Sequence, residues 1–197
     1  MALALVACAD QVGDGFDRRP GDPDRTPTTF ATNLDVVILR TASSLERLAI
    51  GVYDAISGLG VVETPEVQAT IDLFRNHHRD HAALFDAATN SIEIDSAFTD
   101  SNPVIAARLR PRLAAIRTEN DALKLAYEIE TIKSSTYFST VGSFGDRKLN
   151  QAVMSVGGIE ARHVTVLGDL LRSTASPPYP ADGFATNQAA VVVGTGV

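Results

Sequence analysis

Apolar side chains recur at three- and four-residue intervals along most of this chain, the period that lays one stripe along an α-helix. From about Asn33 to Ser57 the stripe is Leu34, Ile38, Leu45, Ala49, Val52 and Ile56. Asn33 is placed to cap its start, and Gly58 and Gly60 are placed to stop it. A second segment starts near Thr64-Pro65-Glu66, with Pro at the first helical position, and runs through Ile71, Phe74, His78, His81 and Phe85 to about Ala88. Residues 89–102 read as a loop, and a short helix over Val104–Ile116 is expected to break or bend at Pro111. A third long segment, about Glu119 to Val141, puts Leu123, Tyr127, Glu130, Ser134 and Tyr137 on one face, with Gly142 to end it. A fourth, about Asp146 to Arg172, aligns Leu149, Val153, Val156, Glu160, His163, Leu167 and Leu170.

The pattern predicts an all-α fold built on four helices of about 23–27 residues, each roughly 35–40 Å long. The short link between the third and fourth makes them antiparallel neighbours, while the link of about 30 residues between the second and third is a long crossover. Three regions follow: a start and flexible tether over residues 1–32, a four-helix bundle over 33–173, and an irregular tail over 174–197 containing Pro177-Pro178 and Pro180.

Composition narrows the function. With 24 acidic against 17 basic residues and a net charge of -7, there is no basic cluster to hold phosphates, and without Trp and with few aromatics there is no platform for stacked bases. Nucleic acid is therefore excluded as the main partner. The single cysteine, Cys8, excludes an internal disulfide framework and a cysteine-built metal site. No apolar run reaches the roughly 20 residues that span a bilayer.

Polar residues on the apolar stripes carry the candidate chemistry. All four histidines, His77, His78, His81 and His163, fall in predicted helices. His81 lies three residues after His78 and His163 three after Glu160, so each pair shares a helix face. Glu46 is followed seven residues later by Tyr53, and Glu130 seven later by Tyr137. A histidine follows each glutamate by 35 and 33 residues respectively, which makes the two halves versions of one helix pair. Buried glutamates are costly unless paired or coordinated, so the spacing points to a metal site. The alternative is a structural ion network joining Glu46, Glu130 and Glu160 to His81, His163 and the two tyrosines. Tyr53 and Tyr137 are expected to orient the glutamates through their hydroxyls. His77 is expected to face outward, and Asp80 and Glu128 to sit on solvated faces. Gly157 and Gly158 are read as permitting close helix approach or a bulge near Glu160.

This arrangement resembles the ferritin-like family of carboxylate-bridged metal proteins, which takes one Glu from each of two helices and Glu-x-x-His from each of the other two. Glu46 and Glu130 match the single glutamates, and Glu160-Ala161-Arg162-His163 matches one Glu-x-x-His motif. His78-Arg79-Asp80-His81 matches the other only at its histidine. Leu125 to Glu130 and Gly158 to His163 are similar to a bacterial ferritin-like subgroup with many exported members. The resemblance spans roughly residues 33–173 and implies a ferritin-like antiparallel four-helix bundle. It also implies a metal site of Glu46, His78, His81, Glu130, Glu160 and His163, with two iron ions as cofactor and manganese or zinc as alternatives. His78 stands where a bridging Glu belongs. A neutral imidazole cannot bridge two irons as a carboxylate does, so a different metal, a single ion centred on Glu130, Glu160 and His163, and a degenerate site all stay open.

Two functions are carried forward. One is a di-metal oxidoreductase with a redox or oxidase-type site in the bundle core. The other is a non-catalytic, envelope-associated bundle with a degenerate site and a structural or interaction role. The start of the chain, ending in Leu5-Val6-Ala7-Cys8, resembles the lipobox of bacterial lipoproteins, and residues 9–30 suit a tether. An exported chain lipidated at Cys8 is the expectation. Against it, the apolar stretch is minimal and nothing basic precedes it, so either the true start lies upstream of Met1 or the match is accidental and the protein is cytoplasmic. The partners expected are metal ions, a membrane by way of Cys8, and a second copy of the chain in a homodimer.

Overall fold

The fold was obtained as a computed structural model that describes residues 33–92 and 97–174. Cys8, the tether and the Pro-rich tail lie outside the described residues. Five helices follow one another, with no strand among the described residues: α1 (Asn33–Gly58), α2 (Pro65–Ile92), α3 (Pro103–Ala114), α4 (Glu119–Thr140) and α5 (Arg147–Thr174). No described helix is long and apolar enough to cross a membrane.

Helix ends follow from local chemistry. Pro65 opens α2 and Pro103 opens α3, positions where a missing N–H costs nothing. The Asn102 side chain accepts from the Ile105 amide to cap α3. At α4, Thr118 and Asp121 form a capping box, and the Glu119 carboxylate accepts from the Glu63 and Thr64 amides of the α1–α2 turn. Gly60 and Gly142 adopt positive φ, 65° and 88°, in the two tight connections, a conformation that favours glycine.

Short connections make α1/α2 and α4/α5 antiparallel hairpins. Across the hairpins, Asp35 meets Gly145, Ala42 and Glu46 meet Tyr137, and Tyr53 meets Glu130, so α4 runs antiparallel to α1. Likewise His77 meets His163 while His81 meets Glu160, so α5 runs antiparallel to α2. Because α1 opposes both α2 and α4, those two are parallel, and the chain between them must return along the bundle. The described stretch 97–118 carries α3, which packs on α1 and α4. This is the expected long crossover of a four-helix bundle.

Some boundaries differ from the sequence reading. The loop expected at 89–102 begins later, because α2 continues to Ile92 with Thr89 buried and its hydroxyl bonded to the Phe85 carbonyl. Of the break or bend expected at Pro111, the break does not occur, since α3 continues through it. Leu34, placed on the apolar stripe, is exposed, since it lies in the first turn beyond the reach of the neighbouring helices. The core runs through Leu45, Ala49, Val52 and Ile56 of α1, Ile71, Phe74 and Phe85 of α2, Leu123 and Ile129 of α4, and Val153, Val156 and Leu167 of α5. Gly157 permits close approach of α5 to α4: a Cβ there would lie 3.4 Å from the Cβ of Tyr137, while Gly158 faces open space.

Candidate metal centre

Midway along the bundle the apolar core gives way to a closed polar cluster. Glu46 of α1, His78 and His81 of α2, Glu130 of α4, and Glu160 and His163 of α5 are all buried and meet there. Every metal ligand expected from the sequence is therefore brought together. Two groups of donors lie close enough to surround an ion, Glu46–His78–His81–Glu160 and His78–Glu130–Glu160–His163, with His78 and Glu160 common to both.

The two tyrosines hold the glutamates crosswise. Tyr53 donates to Glu130 Oε1 at 2.7 Å, and Tyr137 donates to Glu46 Oε1. Each hydroxyl thus serves the glutamate of the opposite hairpin, which follows from the antiparallel run of α1 and α4. Both tyrosines are buried, and burial together with the facing carboxylates pushes their phenols well above the usual range.

A seventh residue, absent from the sequence reading, sits at the centre. Lys133 of α4 has no solvent exposure. Its Nζ lies 2.8 Å from Glu46 Oε2, 3.0 Å from Glu160 Oε2, 3.5 Å from Glu130 Oε2 and 2.7 Å from His78 Nδ1. Burial would favour a neutral amine, but the three carboxylates overcome it and raise the lysine above its ordinary value. Burial also raises Glu46 and Glu130, and again the charges win: Lys133 and the histidines hold both well below the usual carboxylate range. A signal for Lys133 was present, since it lies three residues after Glu130 on the face of Tyr137. Ser134 was placed on that stripe in its stead, and Ser134 is only partly buried.

His78 Nδ1 lies 2.7 Å from the Lys133 ammonium and 3.0 Å from Glu46 Oε2, and its Nε2 lies 2.9 Å from Glu130 Oε1; against burial and the lysine charge, Glu130 and Glu160 raise His78 to about 9. Against burial, Glu160 and Glu46 raise His81 to about 9. Against burial, Glu130 and Glu160 raise His163. Lys133 and the histidines thus set positive charge against the three carboxylates with no metal.

His77 corrects the expectation that it faces outward. It is half-buried, and its Nδ1 lies 2.9 Å from His163 Nε2 with the rings stacked. Burial and the charge on its histidine neighbours lower it to about 4, so it accepts from His163. Glu128, expected on a solvated face, pairs with Arg108 and Arg112 of α3 and is mostly covered. Asp80 is exposed as expected.

The fit to metal differs on the two sides. On the Glu130 side every donor is engaged: Glu130 by Tyr53, His78 and His163, and His163 by both carboxylates and His77. On the His81 side, His81 Nδ1 and Glu160 Oε1 approach to 2.8 Å but are not aligned for a hydrogen bond, and both are left without a hydrogen-bond partner. Glu46 Oε1 lies 3.7 Å from the same nitrogen. A nitrogen and an oxygen that converge without an aligned hydrogen bond, beside a third donor, suit one cation.

A bundle of two antiparallel hairpins joined by a crossover, with glutamates and histidines gathered at its centre, defines a ferritin-like protein. The family model of the ferritin-like domain matches residues 34–173, and the chain belongs to that family. No curated protein and no solved structure matches it.

Proposed function

We propose that this ferritin-like bundle is a metal-binding protein whose core takes a transition-metal ion through Glu46, His81 and Glu160, with His78 alongside. The reading is carried by His81 Nδ1 and Glu160 Oε1, which converge to 2.8 Å without an aligned hydrogen bond, beside Glu46 in a buried polar cluster. One imidazole with two carboxylates suits iron, manganese or zinc. Iron or manganese would supply one-electron redox chemistry, whereas a di-metal oxidoreductase would need a second ion beside Lys133. The chain's own part is clear: Tyr137 fixes Glu46, the packed helices exclude water, and His81 must release its proton before it can bind an ion. Elemental analysis of protein purified without chelators tests the proposal. One ion per chain that disappears in His81→Ala supports it, and no metal after addition of iron, manganese or zinc contradicts it.

Lys133 favours the second reading, a bundle that kept its fold without metal chemistry, because the carboxylates already have a cation. Under that reading metal leaves thermal stability unchanged, whereas an ion bound only by the folded state must raise it. Attachment to a cell envelope through Cys8 is part of either proposal. It is supported by Leu5-Val6-Ala7-Cys8, and mass spectrometry of the native protein for a lipid on Cys8 decides it.

A further inference from the structure

We propose that the Lys133 ammonium is a built-in cation standing in the place of one metal ion, so that replacing it with a neutral side chain lets the cluster take up one ion more than the native chain. The inference deepens the metal reading above and rests on the same site.

The observation behind it is positional. Nζ touches one oxygen of each of the three glutamates and one nitrogen of His78, so a single point satisfies four donors from four helices. Those are the groups a metal ion would draw on. Lysine supplies one positive charge on a long stem, with donors directed as needed, and it arrives with the chain at folding. The remaining lone pairs are arranged around it: Tyr53 and Tyr137 take Glu130 Oε1 and Glu46 Oε1, the two oxygens turned away from the lysine. Of the oxygens of these three glutamates, Glu160 Oε1 alone stays without a hydrogen-bond partner, and it turns to His81 Nδ1 at 2.8 Å, on the side Nζ does not reach. A second ion with its first would bring Nζ and two cations to the same three carboxylates. Like charges at such separations inside a protein repel strongly.

His78 fits the same assignment. A bridging glutamate at that position would add a fourth negative charge. With a histidine at that position and Lys133 among the glutamates, the cluster has three carboxylates and a resident cation, a set with room for at most one further ion.

The test compares the full native chain with Lys133→Met, which keeps the stem and removes the charge. Both are stripped with chelator, saturated with Mn(II) or Zn(II), passed through a desalting column and analysed for bound metal. Lys133→Met is expected to hold one ion more per chain and to melt well below the native protein without metal, recovering when metal is added. Native protein with one ion and the variant with two supports both this inference and the metal reading. None in the native and one in the variant removes the metal reading of the native chain and keeps the inference. Equal stoichiometry in the two, or two ions in the native chain, overturns the inference. If Lys133→Met does not fold even with metal, a crystal structure of native protein soaked in Mn(II) decides. Nζ still within hydrogen-bond distance of the glutamates beside the ion supports the inference, and an ion in its place overturns it.

Discussion

At the residue scale, charges and hydroxyls in this core are held by partners from other helices, so single changes leave identifiable groups exposed to the interior. Tyr53→Phe would strip Glu130 Oε1 of its hydroxyl donor, and Tyr137→Phe would do the same to Glu46 Oε1. Each is expected to cost about 1–3 kcal/mol of stability, measured by urea unfolding, because a buried charged acceptor loses a bond. A loss under a few tenths would mean that the hydroxyls do not hold the glutamates. Most of these residues were legible in the sequence: Glu46, His81, Glu130, Glu160 and His163 stand out as polar positions on apolar stripes at repeat spacing. Lys133 was passed over although it shares the face of Tyr137, because long basic side chains are rarely buried and charge alone marks them as surface. Its meaning emerges only when three carboxylates from three other places in the chain surround it.

At the element scale, caps and cross-links fix where each helix begins, and these set the register of the buried glutamates and histidines. Asn102 caps α3 and also donates to Ser44 of α1 at 3.2 Å, tying the crossover to the first helix. Asn102→Ala is expected to lower stability by about 1–2 kcal/mol in urea unfolding while leaving bound metal per chain unchanged. Loss of metal in that variant would show that the crossover governs the site. The four long helices, their order and the crossover followed from hydrophobic period and link length. The end of α2 did not, since Thr89-Asn90-Ser91 reads as a loop by composition, while the Thr89 hydroxyl is buried and back-bonded to Phe85 within the helix. Pro111 likewise suggested a break that tertiary packing on α1 and α4 overrides.

At the scale of the whole molecule, the bundle encloses a cluster of opposite charges, and its stability therefore depends on pH from both sides. His81 is raised from 6.5 to about 9 on folding. Its contribution is fully present below 6.5 and fades as pH rises through 9, on the order of 3 kcal/mol in all. Glu46 and Glu130 are held below their usual 4.5, so their contribution is present above that value and lost on acidification. Metal-free protein is thus expected to melt highest between about pH 5 and 6.5, with the melting temperature falling toward pH 9. A melting temperature that climbs from pH 6.5 to 9 would contradict the protonated His81. Metal affinity should move the opposite way and tighten with rising pH, as His81 gives up its proton to the ion.

The account turns on which side of the cluster is open to an ion, and anomalous diffraction from crystals soaked in Mn(II) or Zn(II) reads that directly. The prediction is one peak within coordinating distance of His81 Nδ1, Glu160 Oε1 and Glu46, with Lys133 still among the carboxylates. No peak in the core, or a peak held by Glu130 and His163 alone, would contradict it.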